Sequence, residues 1–129
     1  MVAARLGVPV RTPVVVARRR GKVRGEPVLV LTSYVAAAYI PSLEGCARED
    51  LSLHMMLVTA YGRHIHGTKT VIEMSPAEDE IAALLALPSG SPILRVERIG
   101  FGKDRGVLEY AETHYRADRY RFLVEYRST

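Results

Sequence analysis

The 129-residue sequence holds a single cysteine, Cys46. One thiol can form neither an internal disulfide nor a multi-thiolate zinc site, and a reducing compartment is the natural reading. No apolar run approaches the ~20 residues that a membrane span needs. The N-terminus lacks the charged stretch and apolar core of an export signal, so a cytoplasmic location is expected. Long polar runs are missing as well, which argues against disorder. The glycine-rich phosphate loops of nucleotide enzymes do not occur. With neither a nucleophile–base pair nor a metal set, no catalytic residue and no cofactor is expected.

What is present is an ordinary globular balance of 48% hydrophobic and 25% charged residues. The length suits a single domain over residues 1–129, burying roughly two-thirds of its unfolded surface. Net charge is +4, and 15 of the 18 basic residues are arginine. Arginine forks suit carboxylates and phosphates. The basic residues are spread along the chain, and no basic helix of the kind that enters a DNA groove can be drawn.

An internal repeat organises the chain. Ala3-Ala4-Arg5-Leu6-Gly7-Val8-Pro9 followed by Thr12-Pro13-Val14-Val15-Val16 is echoed by Ala82-Ala83-Leu84-Leu85-Ala86-Leu87-Pro88 followed by Ser91-Pro92-Ile93-Leu94-Arg95-Val96. Gly21-Lys22 with Arg24-Gly25 returns as Gly102-Lys103 with Arg105-Gly106. Two copies mean a pseudo-symmetric domain, not a solenoid. Strands are expected over Thr12–Arg20 and Glu26–Tyr34, joined by a hairpin. Val35–Cys46 is a connection with a short helical turn, and Leu51–Tyr61 has the apolar spacing of a helix. Arg63–Met74 alternates as a long strand. Ser75-Pro76-Ala77-Glu78 has the residues of a capped helix start. Pro92–Gly102 and Gly106–Tyr115 form a second hairpin, and Arg119–Arg127 a last strand. The expected fold is α+β, an antiparallel sheet of about six strands with a few helices.

The ordered set of helix-Leu-Gly, paired arginines on a strand, Gly-Glu-Pro-Val, Ser-Tyr, helix-Tyr-Gly, capped helix, Glu109-Tyr110 and Asp118-Arg119-Tyr120-Arg121-Phe122 resembles the UTRA domain. The resemblance runs from about Ala3 to Tyr126. UTRA domains are the effector-binding halves of GntR-type transcription regulators of the HutC subfamily. The resemblance implies a chorismate-lyase-like fold, a homodimer, and a pocket for a small anionic metabolite, such as a phosphorylated sugar or a carboxylate. DNA would be met only through a winged helix-turn-helix, which this chain does not contain. Either the chain is a fragment of a full-length regulator, or it is a regulator without its DNA reader. A chorismate-lyase-like enzyme and a dimerisation relic without ligand are the alternatives.

Arg18 and Arg20 are two apart on a strand, so both side chains leave one face and could hold an anion by bidentate bonds. Similar UTRA domains place an Arg-x-Arg pair here, and the alignment is loose enough for Arg19 to slide in. The plainer reading is a basic strand edge that discourages pairing. Ser52 and His54 open the expected central helix, where free N–H groups favour an anion; capping and surface roles are the plainer readings. Glu109 and Tyr115 resemble a glutamate and a tyrosine, six apart, that hold the polar body of the ligand in sugar-phosphate sensors. Thr32 could add a hydroxyl, where such sensors tend to carry a glutamate near Leu31 and Thr32. His64-Ile65-His66 would share one strand face, but Cys46 and His114 lack supporting spacing and no metal is expected. The Arg116/Arg119/Arg121 stripe with Tyr120 and Phe122 mixes bases and aromatics as single-strand binders do.

Overall fold

The computed structural model describes residues 2–39, 62–104 and 106–119, with Arg121, Leu123 and Glu125. The chain runs α1 (Val2–Leu6), β1 (Val14–Val23), β2 (Glu26–Ala36), a 3-10 turn (Ala37–Tyr39), β3 (Gly67–Pro76), α2 (Asp79–Leu84), β4 (Pro92–Phe101), β5 (Val107–Arg116) and a second 3-10 turn (Ala117–Arg119). The five strands make one antiparallel sheet in the order β1-β2-β5-β4-β3.

The repeat explains this order. Each copy folds as helix, strand, strand, giving α1-β1-β2 and α2-β4-β5. The second strands of the two copies pair with each other, Thr32 opposite Glu112 and Ser33 opposite Ala111. A two-fold between β2 and β5 therefore relates the halves, and β3 is added outside β4. The first hairpin closes through Arg24 and Gly25, both at positive φ (52° and 81°). That is the two-residue turn whose twist matches a strand pair, and glycine holds its second position without cost.

Register fixes what each face carries. On one side α2 lays Ile81, Ala82 and Leu85 against Val30 and Ile93. On the other, Val15, Ala17, Val35 and Leu108 form a second cluster with Tyr39 and Ile65 packed against it. Gly100 belongs to this second side, and a Cβ built there would come within 2.8 Å of Ile65 Cδ1. Gly100→Ala is expected to cost about 1–3 kcal/mol through overpacking, measured by urea denaturation; an unchanged midpoint would show that Ile65 moves aside freely.

The antiparallel sheet, expected with about six strands, has five among the described residues. Three expectations need correction. In the span expected as a last strand, Arg119 lies in a 3-10 turn, and Arg121, Leu123 and Glu125 are in no strand. β3 begins at Gly67 and not at Arg63, so the alternation over His64 and His66 is not strand alternation. Ser75 and Pro76 do not start a helix. They finish the ladder opposite Ile93 and Pro92, and Pro76 sits at a strand end, where its missing donor costs least. The Ala77 N–H then donates to the Ser91 carbonyl at 2.8 Å. The helix therefore starts after Glu78, which stays extended (φ −69°, ψ 160°) and makes no side-chain cap. The expected Leu51–Tyr61 helix lies outside the described residues, as does the Val35–Cys46 connection beyond Tyr39.

Candidate functional site

Alternation sorts the expected site residues by face. Arg18 lies opposite Thr32, and Thr32 opposite Glu112, so Arg18, Arg20 and Thr32 share the face that α2 covers. Glu109 and Tyr115 differ from Glu112 by odd numbers of residues on β5 and occupy the other face. Ser52 and His54 lie outside the described residues. The spacing argument for Arg18 and Arg20 holds, since both leave one face, but the sheet separates them and Thr32 from Glu109 and Tyr115. These five residues do not form one pocket.

The helix-covered face is a network of charges that satisfy one another. Arg18 is hydrogen-bonded to Thr32 at 2.9 Å and paired with Glu80 of α2. The Arg20 guanidinium reaches the Leu84 carbonyl at 3.5 Å. At the centre Arg95 pairs with Glu97 at 2.9 Å, Glu112 at 2.5 Å and Glu73 at 3.2 Å. Arg5 of α1 closes on Glu97 at 2.8 Å. Tyr110 is fully buried, stacks on Tyr34 with ring centroids 5.6 Å apart, and donates to Glu112. Burial alone would raise the Glu112 carboxyl, but hydrogen bonds from Tyr110 and Arg95 outweigh it and hold the group below its ordinary range. Burial and the hydrogen bond to Glu112 push the Tyr110 phenol well up. Burial pushes His114 down, towards the neutral imidazole. A cavity of about 260 Å³ remains among Arg18, Glu80, Arg95, Glu112 and His114. Its guanidiniums already hold carboxylates, which makes this network a fastening between helices and sheet.

The opposite face has a different character. Glu109 is 2% exposed and Ser33 4%. The Ser33 hydroxyl donates to one Glu109 oxygen, and the Arg98 guanidinium donates to the other at 3.1 Å. Arg98 is half-exposed. Arg19 is exposed on this face, opposite Leu31, which lies opposite Thr113. Thr113 stands four residues from Glu109 and two from Tyr115 along β5. Glu109 and Tyr115 are thus at the two ends of a stripe, with Arg19 level with the part nearer Tyr115. Six residues of strand span roughly 20 Å, so a ligand touching both would lie along β5.

Sequence reasoning missed Arg98, Ser33 as a partner of Glu109, and the Arg95 network. The signal for Arg98 was available, because a strand-paired basic residue opposite Ala111 shares the face of Glu109. The wider clefts, about 480 and 450 Å³, lie around His66, Gly102 and Lys103 and include none of the expected site residues. No group of three or more metal-ligating side chains occurs among the described residues. In the basic stripe, Arg116 is paired with Asp118 at 3.0 Å and Arg119 with Glu26 at 2.7 Å. No described helix is long and apolar enough to cross a membrane.

The described residues thus form an α+β domain, an antiparallel sheet with a self-paired charge network under its helices and a buried acid on the other face. A family model of the UTRA domain matches residues 1–121, and the chain belongs to that family. An HTH-type transcriptional regulator from Mycobacterium tuberculosis is 32% identical over 111 residues, covering 83% of this chain and 41% of that protein. The HTH-type regulator GmuR of Bacillus subtilis is 29% identical over 120 residues, covering 92% of this chain and 50% of that one. The effector domain of PhnF from Mycobacterium smegmatis superposes with a TM-score of 0.85 at 25% identity, over 98% of this chain and 77% of that one. The chain spans half or less of the curated relatives it matches here.

Proposed function

We propose that this chain is the effector-binding domain of a transcription regulator, taking a small anionic metabolite on the sheet face that carries Glu109, Arg19 and Tyr115. The buried Ser33–Glu109–Arg98 group is the observation that carries this reading. Taking a carboxylate out of water costs several kcal/mol, even after relaxation, unless partners compensate. Among its partners at described residues are a buried hydroxyl and a half-exposed guanidinium that can turn to a ligand. Glu109 accepts from ligand hydroxyls or an amine, Arg19 and Arg98 supply forks for a phosphate or carboxylate, and Tyr115 adds a ring with a polar tip.

DNA binding belongs to a winged helix outside this chain, and the domain works as a homodimer. The ligand controls DNA affinity only as far as it binds the two states of the regulator unequally. A thermal-shift screen against phosphorylated sugars, carboxylates and aromatic acids tests the reading. One chemical class should raise the melting temperature by an amount that grows with concentration. Arg19→Ala should weaken that class, and the Arg18→Ala/Arg20→Ala pair should leave its affinity nearly unchanged. The reverse pattern would move the ligand to the helix-covered face. No shift from any class would leave a dimerisation module without ligand.

A further inference from the structure

The two edges of the sheet are built differently. β1 carries Arg18-Arg19-Arg20 in succession and a register shift between Gly21 and Lys22. Consecutive charges and a bulge are the usual means of blocking edge-to-edge pairing. β3 has neither. It pairs with β4 over ten consecutive residues from Gly67 to Pro76 without a shift, and its one proline is at the end. Nine of its ten residues are exposed, including Val71, Ile72 and Met74 at 45%, 47% and 59%. A regular, ten-residue, partly apolar edge that no described strand covers is a template for another strand.

The charge pattern of β3 selects the partner. Its only charged residues are Lys69 and Glu73, placed evenly about Val71. We infer that β3 docks against β3 of a second copy of this chain, antiparallel, with the two-fold axis at Val71. Val71 then faces Val71, and Lys69 of each copy faces Glu73 of the other, so one register makes two opposite-charge pairs. Thr70 falls opposite Ile72 and Thr68 opposite Met74 on the other face. Moving the axis to Ile72 would set Lys69 against Ser75 and Glu73 against Val71, and both charge pairs would be lost. Lys69 has no acidic partner within its own chain among the described residues, whereas Glu73 also touches Arg95 at 3.2 Å. The result is a continuous sheet with the helices of both copies on one side. This inference rests on the homodimer reading above and supplies its interface.

Sedimentation velocity over a concentration series tests it, using Lys69→Glu, Glu73→Lys and Val71→Lys. All three positions are exposed, and because Glu73→Lys also loses the Arg95 pair at 3.2 Å, circular dichroism checks that each variant is folded before its dimer is read. Each charge reversal alone should weaken the dimer about tenfold, because the two-fold repeats every exchange. Val71→Lys, which sets two lysines at the axis, should leave monomer. Mixing the Lys69→Glu and Glu73→Lys chains should restore a dimer, since acid then faces lysine at both pairs. A dimer that none of the changes disturbs would overturn the β3 interface while keeping the homodimer. Weakened single variants that fail to recover on mixing would overturn the Val71 register. A wild-type chain that stays monomeric throughout would overturn homodimer and interface together.

Discussion

Arg95→Met is expected to destabilise the protein by about 3–5 kcal/mol, the range found when one partner of a buried ion pair is removed. Among the described residues Arg95 is the only cation that touches Glu73, Glu97 and Glu112 together. Without it Glu97, 6% exposed, keeps only Arg5, and Glu112 keeps only the Tyr110 hydroxyl among the partners described here. Methionine fills much of the same space, so the loss reports charge and not a cavity. The penalty should depend on pH, with a sign that the Glu112 environment fixes. In the wild type the folded-state value of Glu112 is lowered. Its contribution is therefore present above the ordinary carboxylate range and disappears as pH falls through the lowered value. The gap between wild type and variant should be widest near neutrality and should narrow below about pH 4. His114, pushed down by burial first and by the Arg95 charge as well, adds a loss as pH falls below about 6.5, because the unfolded chain takes up that proton first; the loss is smaller in the variant, which lacks the Arg95 charge. Urea titrations at pH 4 and pH 7 give the comparison. Equal penalties at the two pH values would show that Arg95 acts by packing alone.

Glu109→Gln should remove effector affinity by about a hundredfold or more, the scale of losing one member of a desolvated charge pair at a binding surface. The amide keeps the volume of the side chain and can still meet the Ser33 hydroxyl, so the sheet should survive. It cannot accept at both oxygens, and the end of the stripe loses its charge. Calorimetry with whichever class raises the melting temperature measures the effect, and an unchanged melting temperature of the free variant confirms that the fold is intact. Unaltered affinity in a folded variant would place the ligand away from Glu109. The Arg18/Arg20 variants would then become the informative ones.

Much of the architecture was legible because it depends on local chemistry. The two hairpins were visible from β-branched runs and glycine at the turn, and Arg24-Gly25 does adopt the positive φ angles such a turn requires. The repeat from Ala3 and from Ala82 showed that two similar units would be joined, and β2 beside β5 is the joint. The helix start was misread because Ser75-Pro76 has the residues of a cap, and a cap competes with strand pairing. Ten ladder positions with β4 won that competition. The candidate site was legible residue by residue but not as a set. Glu109 was chosen, yet its partners Ser33 and Arg98 lie 76 and 11 residues away in sequence.

The sequence by itself determined the class of fold, the hairpins, the pseudo-symmetry and the family, because turn chemistry, apolar patterning and ordered motifs act over short stretches of chain. The tertiary structure decided which residues share a face. A shift of one residue along a strand moves a side chain through the sheet. Cross-strand register therefore parts Arg18 and Arg20 from Glu109 and brings Arg19 to its side, and strand order leaves β3 at the edge of the described sheet.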